Sequence, residues 1–251
     1  MKIDPKLSMK INPNYSPNFD SKKRSLDKIN FIIFHYTGMK NEKKAIDKLL
    51  DIKSKVSCHY FIKNNGEILR MVPDSYIAWH AGVSSWKKFK SLNKSSIGIE
   101  INNPGHEFKY KKFSKKQIYS LIKLTRYIIK KYKINPKSVL GHSDIAPDRK
   151  RDPGEKFPWE FLSKKKIGIW HELKSNEIKV YRKLKLSNLL KIKFINNLYK
   201  IGYPKNSKIN KNKYNKNITV AFQRRFRQEL IDGKIDKECL LISENLIKKL
   251  N

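Results

Sequence analysis

The chain has 251 residues, enough for one large domain or for a medium domain with a small partner, and either can bury a core. Its 57 Lys and Arg against 22 Asp and Glu give a formal net charge of +35, but the lysines run along the whole chain among many Asn and Ile; with no aromatic-rich RNA-binding motif and no zinc-finger spacing, this is amino-acid usage and no nucleic-acid partner is expected. Two cysteines, Cys58 and Cys239, exclude a disulfide framework and an all-cysteine metal site, and apolar runs as short as "FIIF" exclude a bilayer-spanning helix of roughly 20 residues.

Residues 1–28, rich in Pro, Asn, Ser and Lys, read as an extended arm laid on the surface; with Pro5 and no continuous apolar stretch, they do not read as a signal peptide. "INFIIFHYTG" is β-rich and apolar and predicts a buried strand that carries His35 at its C-terminal end. "NEKKAIDKLLDIK" predicts a short amphipathic helix, and "SCHYFIKNNGEILRMVP" a hairpin turning at Asn64-Asn65-Gly66. In "SIGIEIN", Ile97, Ile99 and Ile101 fall on one face of a strand, with Gly98 and Glu100 on the other. Ser114 opens the clearest helix: Ile118, Leu121, Ile122, Ile128, Ile129 and Tyr132 keep helical spacing, Ser114 and Gln117 form a capping box, and Asn135-Pro136 ends it. "SVLGHSD" is one more short strand, and strands interleaved with helices predict an α/β fold with a mixed central sheet flanked by helices.

After Trp170 the composition turns polar, and residues 173–182 read as a linker. "SNLLKIKFINNLYKIGYP", "ITVAFQRRFRQEL" and "ISENLIKKL" then predict a small all-α module over 183–251, close to the lower size limit for independent stability. Phe222 and Phe226, four residues apart, are assigned to its core. The expected organisation is an arm (1–28), a main domain (29–172), the linker and the module.

Chemistry concentrates in "GHSDIAPDRKRDPG", residues 141–154, and at the distant His35. Two imidazoles and a carboxylate are the ligand types a zinc hydrolase uses while leaving its fourth position to water. Spacing alone leaves two readings of His142 and Asp152 open, a shared metal or a hydrogen-bonded surface loop.

Taken together, "FIIFHYTG", "VSCHYFI", "AWHAG", "SIGIEINNPG", "GHSDIAPDRKRDPG" and "FPWEFL" strongly resemble the zinc-dependent N-acetylmuramoyl-L-alanine amidases of the type-2 family, which share a fold with peptidoglycan recognition proteins. The motifs stand in family order over about residues 29 to 162, and "LYKIGYP" and "VAFQRRF" resemble the peptidoglycan-binding-like helical module of two-domain members. The resemblance implies one Zn2+ per chain held by His35, His142 and Asp152, Glu100 as catalytic carboxylate, and Lys150 facing the reacting carbonyl. It also implies a peptidoglycan or muropeptide substrate, with Trp79, His80 and Asn102 as candidate contacts. A bacterial cell-envelope or secreted location follows by resemblance, with a cytoplasmic one as the alternative. A non-catalytic peptidoglycan recognition protein is the alternative function; such relatives typically replace a zinc ligand, and here all three are present with Glu100.

Other residues carry plainer expectations. His59 is read as a structural, hydrogen-bonded histidine beneath the site, and Tyr36 as packing on the side opposite His35. His106 and His171, in polar stretches, are expected to be solvated. Asp144 is either a partner of the ligand loop or its cap, and Arg149 and Arg151 are unassigned.

Overall fold

The computed structural model describes residues 9–205 and 209–250. Its central sheet has six strands: β1 (Ile11–Pro13), β2 (Phe31–Tyr36), β3 (Tyr60–Ile62), β4 (Ile68–Arg70), β5 (Ser96–Ile101) and β6 (Val139–Gly141). They lie in the order β1-β4-β3-β5-β2-β6. β3 and β4 form the expected antiparallel hairpin, whereas β1 with β4, β3 with β5 and β2 with β5 are parallel. The sheet is mixed, as the alternation of elements predicts.

The chain divides into two compact units, one from the described residues up to His80 with Asn93–Asn135, the other from Ala81–Leu92 with the described residues from Pro136 onward. In the first, β2 runs through the middle of the core, and Phe31, Ile32, Ile33 and Phe34 are all buried. A strand covered on both faces reads as a continuous apolar run, which is why "FIIF" shows no alternation. Helix α1 (Glu42–Leu50), capped by Asn41, packs Ala45 and Leu49 into a cluster with Cys58, Phe61, Leu69 and Met71. Helix α2 (Lys115–Tyr132) begins as expected: Ser114 Oγ accepts the Gln117 N–H at 3.2 Å, and Gln117 Oε1 accepts the Ser114 N–H at 3.0 Å. It buries Ile118, Leu121, Ile122, Leu124 and Ile128.

The arm differs from expectation. Residues 1–8 lie outside the described residues, but Ile11 pairs with Ile68 as β1 joins the sheet, and the Ser16 N–H donates to Met71 O at 2.7 Å. Farther along, Arg24 is buried and donates to the carbonyls of Asp74, Asn93 and Ser96. A segment whose polar groups are taken up by the sheet margin belongs to the fold rather than lying on it.

In the second unit β6 leads directly into α3 (His142–Ile145), followed by α4 (Trp159–Lys164). The segment read as a linker is helical: α5 (Ser175–Ile178) runs into a 3-10 turn at Lys179–Tyr181, and Arg182 grips Glu238 through Nε at 2.7 Å and Nη2 at 2.8 Å. Helices α6 (Asn188–Ile201), α7 (Lys211–Phe226) and α8 (Lys237–Leu250) follow in the same unit. Phe194, Phe222 and Phe226 are buried against one another, with Phe194 edge-on to Phe222 at 5.2 Å and 84°. Among the described residues no helix is long and apolar enough to cross a membrane.

Candidate active site

The first half of the site is set by strand register. β2 and β5 are parallel with His35 directly opposite Glu100, and residues opposite one another project from the same face of a sheet. Ile97, Ile99 and Ile101 take the other face, as their alternation predicts. His35 is buried and Glu100 half-buried, with Phe61 of β3 on the other side of Glu100.

Gly98, two residues before Glu100, makes room for a histidine. A β-carbon there would lie 2.4 Å from His80 Cγ, so the ring occupies the space a side chain would fill. His80 Nδ1 stands 3.0 Å from His35 Nε2, and its Nε2 stands 3.2 Å from Ser96 Oγ. His80, one of the candidate substrate contacts, is thus placed against a ligand residue, as the outer partners of metal-binding histidines are. Substituting Gly98→Ala should push His80 off His35. Overpacking of this kind costs about 1–3 kcal/mol. A lowered thermal midpoint together with weaker zinc binding in Gly98→Ala would show both effects, and unchanged values would refute the packing argument.

Behind His80 lies His59, its ring centroid 5.6 Å from that of His80. Its Nδ1 accepts the Gly98 N–H at 3.0 Å and its Nε2 faces Tyr76 O at 3.2 Å. Complete burial, reinforced by the nearby Arg24 guanidinium, pushes its pKa down to about 3, so the ring is neutral and structural, as expected. The other candidate contacts are held too. Trp79 Nε1 donates to Asp20 Oδ1 at 2.6 Å, and Asn102 Oδ1 accepts from Thr37 Oγ1 at 3.2 Å.

The second half is the turn after β6. Asp144 Oδ2 accepts the Gly141 N–H at 2.7 Å, so Asp144 does cap the start of α3. His142 is buried, and its Nε2 lies 3.2 Å from the Ala81 carbonyl. With its proton on Nε2, toward that carbonyl, the ring would offer Nδ1 to a metal. That Nδ1 is 3.0 Å from Asp152 Oδ2, while the Ser143 N–H donates to Asp152 O at 2.9 Å and closes the loop through the backbone. Arg149, unassigned from sequence, donates through Nη2 to the same Ala81 carbonyl at 2.5 Å and through Nε to Val83 O at 3.1 Å. It braces the segment that holds His142. Lys150 is half-buried two residues before Asp152, and Arg151 is exposed.

His35, His142 and Asp152, all buried, offer three ligand atoms within 4.8 Å of one another. Two imidazole nitrogens and one carboxylate oxygen fit zinc, and three protein ligands leave its fourth position open. Of the two readings left by spacing, the shared metal is the one the geometry bears out.

Two histidines depart from expectation. His171 is buried, stacked on Trp170 at 5.0 Å, and desolvation lowers its pKa. His106 is half-buried, with Nδ1 2.8 Å from Tyr36 Oη and its ring stacked on Tyr110 at 4.5 Å. Both lie in polar stretches, but the aromatic neighbours that cover them remove water from the rings.

Residues 25–155 match the profile of the family described as N-acetylmuramoyl-L-alanine amidase. The chain belongs to this family. The N-acetylmuramoyl-L-alanine amidase AmiD of Escherichia coli (strain K12) is 33% identical to this amidase over 234 residues, 88% of this chain and 83% of AmiD. A solved complex of the E. coli AmiD with anhydro-N-acetylmuramic acid-L-Ala-D-gamma-Glu-L-Lys superposes with a TM-score of 0.77 at 31% identity, covering 92% of each chain. AmpDh3 of Pseudomonas aeruginosa, in complex with an anhydromuramic pentapeptide, gives 0.76 at 28% identity over 100% of this chain and 99% of its own. At these coverages the likenesses extend well beyond residues 25–155.

Proposed function

We propose that this zinc amidase hydrolyses the amide joining the lactyl group of N-acetylmuramic acid to the L-alanine of the stem peptide, in peptidoglycan or in muropeptides released from it. The observation that carries the reading is the His35, His142 and Asp152 triad in a chain of this family. When bound, zinc supplies a Lewis acid that polarises the scissile carbonyl and makes water a nucleophile near neutral pH. Glu100, on the same sheet face as His35, takes a proton from the attacking water. It delivers that proton to the nitrogen as the C–N bond breaks, so the products are a lactyl carboxylate and a peptide with a free amine. The Lys150 ammonium offsets the negative charge that develops on the carbonyl oxygen. His80 orients His35, and Trp79 and Asn102 line the approach of the substrate.

A complete ligand set together with Glu100 favours catalysis over recognition alone. Similarity to AmiD supports an extracytoplasmic role, and we take the cell envelope as the working location. Incubating the zinc-loaded protein with muropeptides, with and without the 1,6-anhydro ring, and weighing the products should reveal free sugar and free peptide. Intact muropeptides of both kinds, bound but uncleaved, would establish the recognition reading instead.

A further inference from the structure

The C-terminal helices reach the loop that carries a zinc ligand. Asp144, two residues after His142 in α3, is a carboxylate only 1% exposed. Its Oδ2 accepts the Gly141 N–H and also a hydrogen bond from Arg225 Nη1 of α7. Its Oδ1 accepts the Tyr203 hydroxyl at 3.0 Å, from the turn that follows α6. Arg225 is itself buried, donates through Nη2 to Val139 O at 3.2 Å on the strand leading to His142, and lies with its guanidinium carbon 4.0 Å above the Trp159 ring.

A second tie runs to the other support of His142. Ala81, whose carbonyl holds His142 Nε2, begins the segment that continues to Trp86. Trp86 is buried against the module: its ring meets that of Tyr203 at 5.1 Å and 63°, and the Lys87 N–H donates to Gly202 O at 2.8 Å. Gly202 has φ +139, and a β-carbon there would lie 2.4 Å from Trp86 Cε2, so only glycine lets the module close on this ring. Both anchors of His142, the Asp144 cap and the Ala81 carbonyl, are therefore braced from the same turn and helix.

We propose that Arg225 and Tyr203 are positioning residues for the zinc ligand His142, so that the helical module maintains metal affinity rather than serving only to hold polymeric substrate. Without the Arg225 guanidinium the buried Asp144 carboxylate loses the donor that fixes its Oδ2, and the cap on Gly141 loosens with it. His142 then loses the orientation its loop imposes. The inference rests on the zinc-site reading above and adds that the site is completed from residues 203 and 225.

The test measures zinc affinity by competition with a chromophoric chelator on the full chain, beside kcat and KM for a soluble muropeptide and the absorption spectrum of the cobalt-substituted protein. Arg225→Ala should release zinc about 10–100-fold more readily, as loss of an outer partner of a metal ligand does. Its cobalt spectrum should shift, its kcat should recover in excess zinc, and its KM should hold. Arg225→Lys should restore part of the affinity, and Tyr203→Phe, which removes one hydroxyl, should weaken zinc severalfold while the protein stays folded. If Arg225→Ala does not fold, Tyr203→Phe and Arg225→Lys decide by the same readouts. Parent-like zinc affinity and cobalt spectra in the folded variants, with only a raised KM for polymeric peptidoglycan, would overturn the proposal. A parent protein that bound no zinc would overturn the site reading, and the proposal with it.

Discussion

Asp152→Ala should abolish zinc binding and amidase activity together. Asp152 is the one anionic member of the triad, and its loss leaves two neutral imidazoles facing a dication. Changing an outer partner of a metal ligand already costs about 10–100-fold in affinity, so deleting a ligand should weaken zinc by more than about 100-fold. The backbone tie from Ser143 to residue 152 does not involve the side chain, so the loop itself should persist. The effect then falls on the metal. Metal content after dialysis, read beside muropeptide turnover, checks this: an Asp152→Ala protein that kept one zinc per chain would remove Asp152 from the ligand set.

Glu100→Gln should separate the metal from the chemistry. Glutamine preserves the volume and one acceptor oxygen on β5 but cannot accept a proton from water. Zinc content and thermal midpoint should stay at parent values, while kcat falls by about 10²–10⁴. Each tenfold loss is 1.36 kcal/mol of barrier, so the carboxylate is asked to supply about 3–5 kcal/mol. Single-turnover rates on a defined muropeptide measure this directly. Parent-like turnover would mean that another group moves the proton.

The triad was legible through the family motifs around His35, His142 and Asp152; spacing alone left a shared metal and a hydrogen-bonded loop open, because nothing local says that a strand end and a distant loop meet. The face of Glu100 was legible because the isoleucines of its strand mark the opposite one, while its role came from the family resemblance. What the sequence hid depends on contacts between distant segments. β1 is three residues long and pairs in parallel with a strand more than fifty residues away, and parallel pairing leaves no turn signal nearby. The packing of His80 over Gly98 joins two stretches whose relation no periodicity reveals. The bond from Arg225 to Asp144 spans 81 residues, and in the sequence Arg225 is one basic residue beside Arg224 and Arg227.

Charge shows the same division. Among the described residues Arg24, Arg225 and Arg227 are buried, while no lysine is. The planar guanidinium brings several donors into fixed register with carbonyls and carboxylates, whereas an ammonium keeps its water. The lysine excess therefore colours the surface, as the composition suggests, and a few arginines hold the interior.

The placement of β1 bears on the edge of the sheet. Without those three residues β4 would offer an open row of backbone donors and acceptors, a ready template for strand-to-strand association between molecules. β1 takes that row, and being short and ending in Pro13, which has no N–H to give, it presents a poor template in its turn. The short arm strand thus covers an edge as well as completing the sheet.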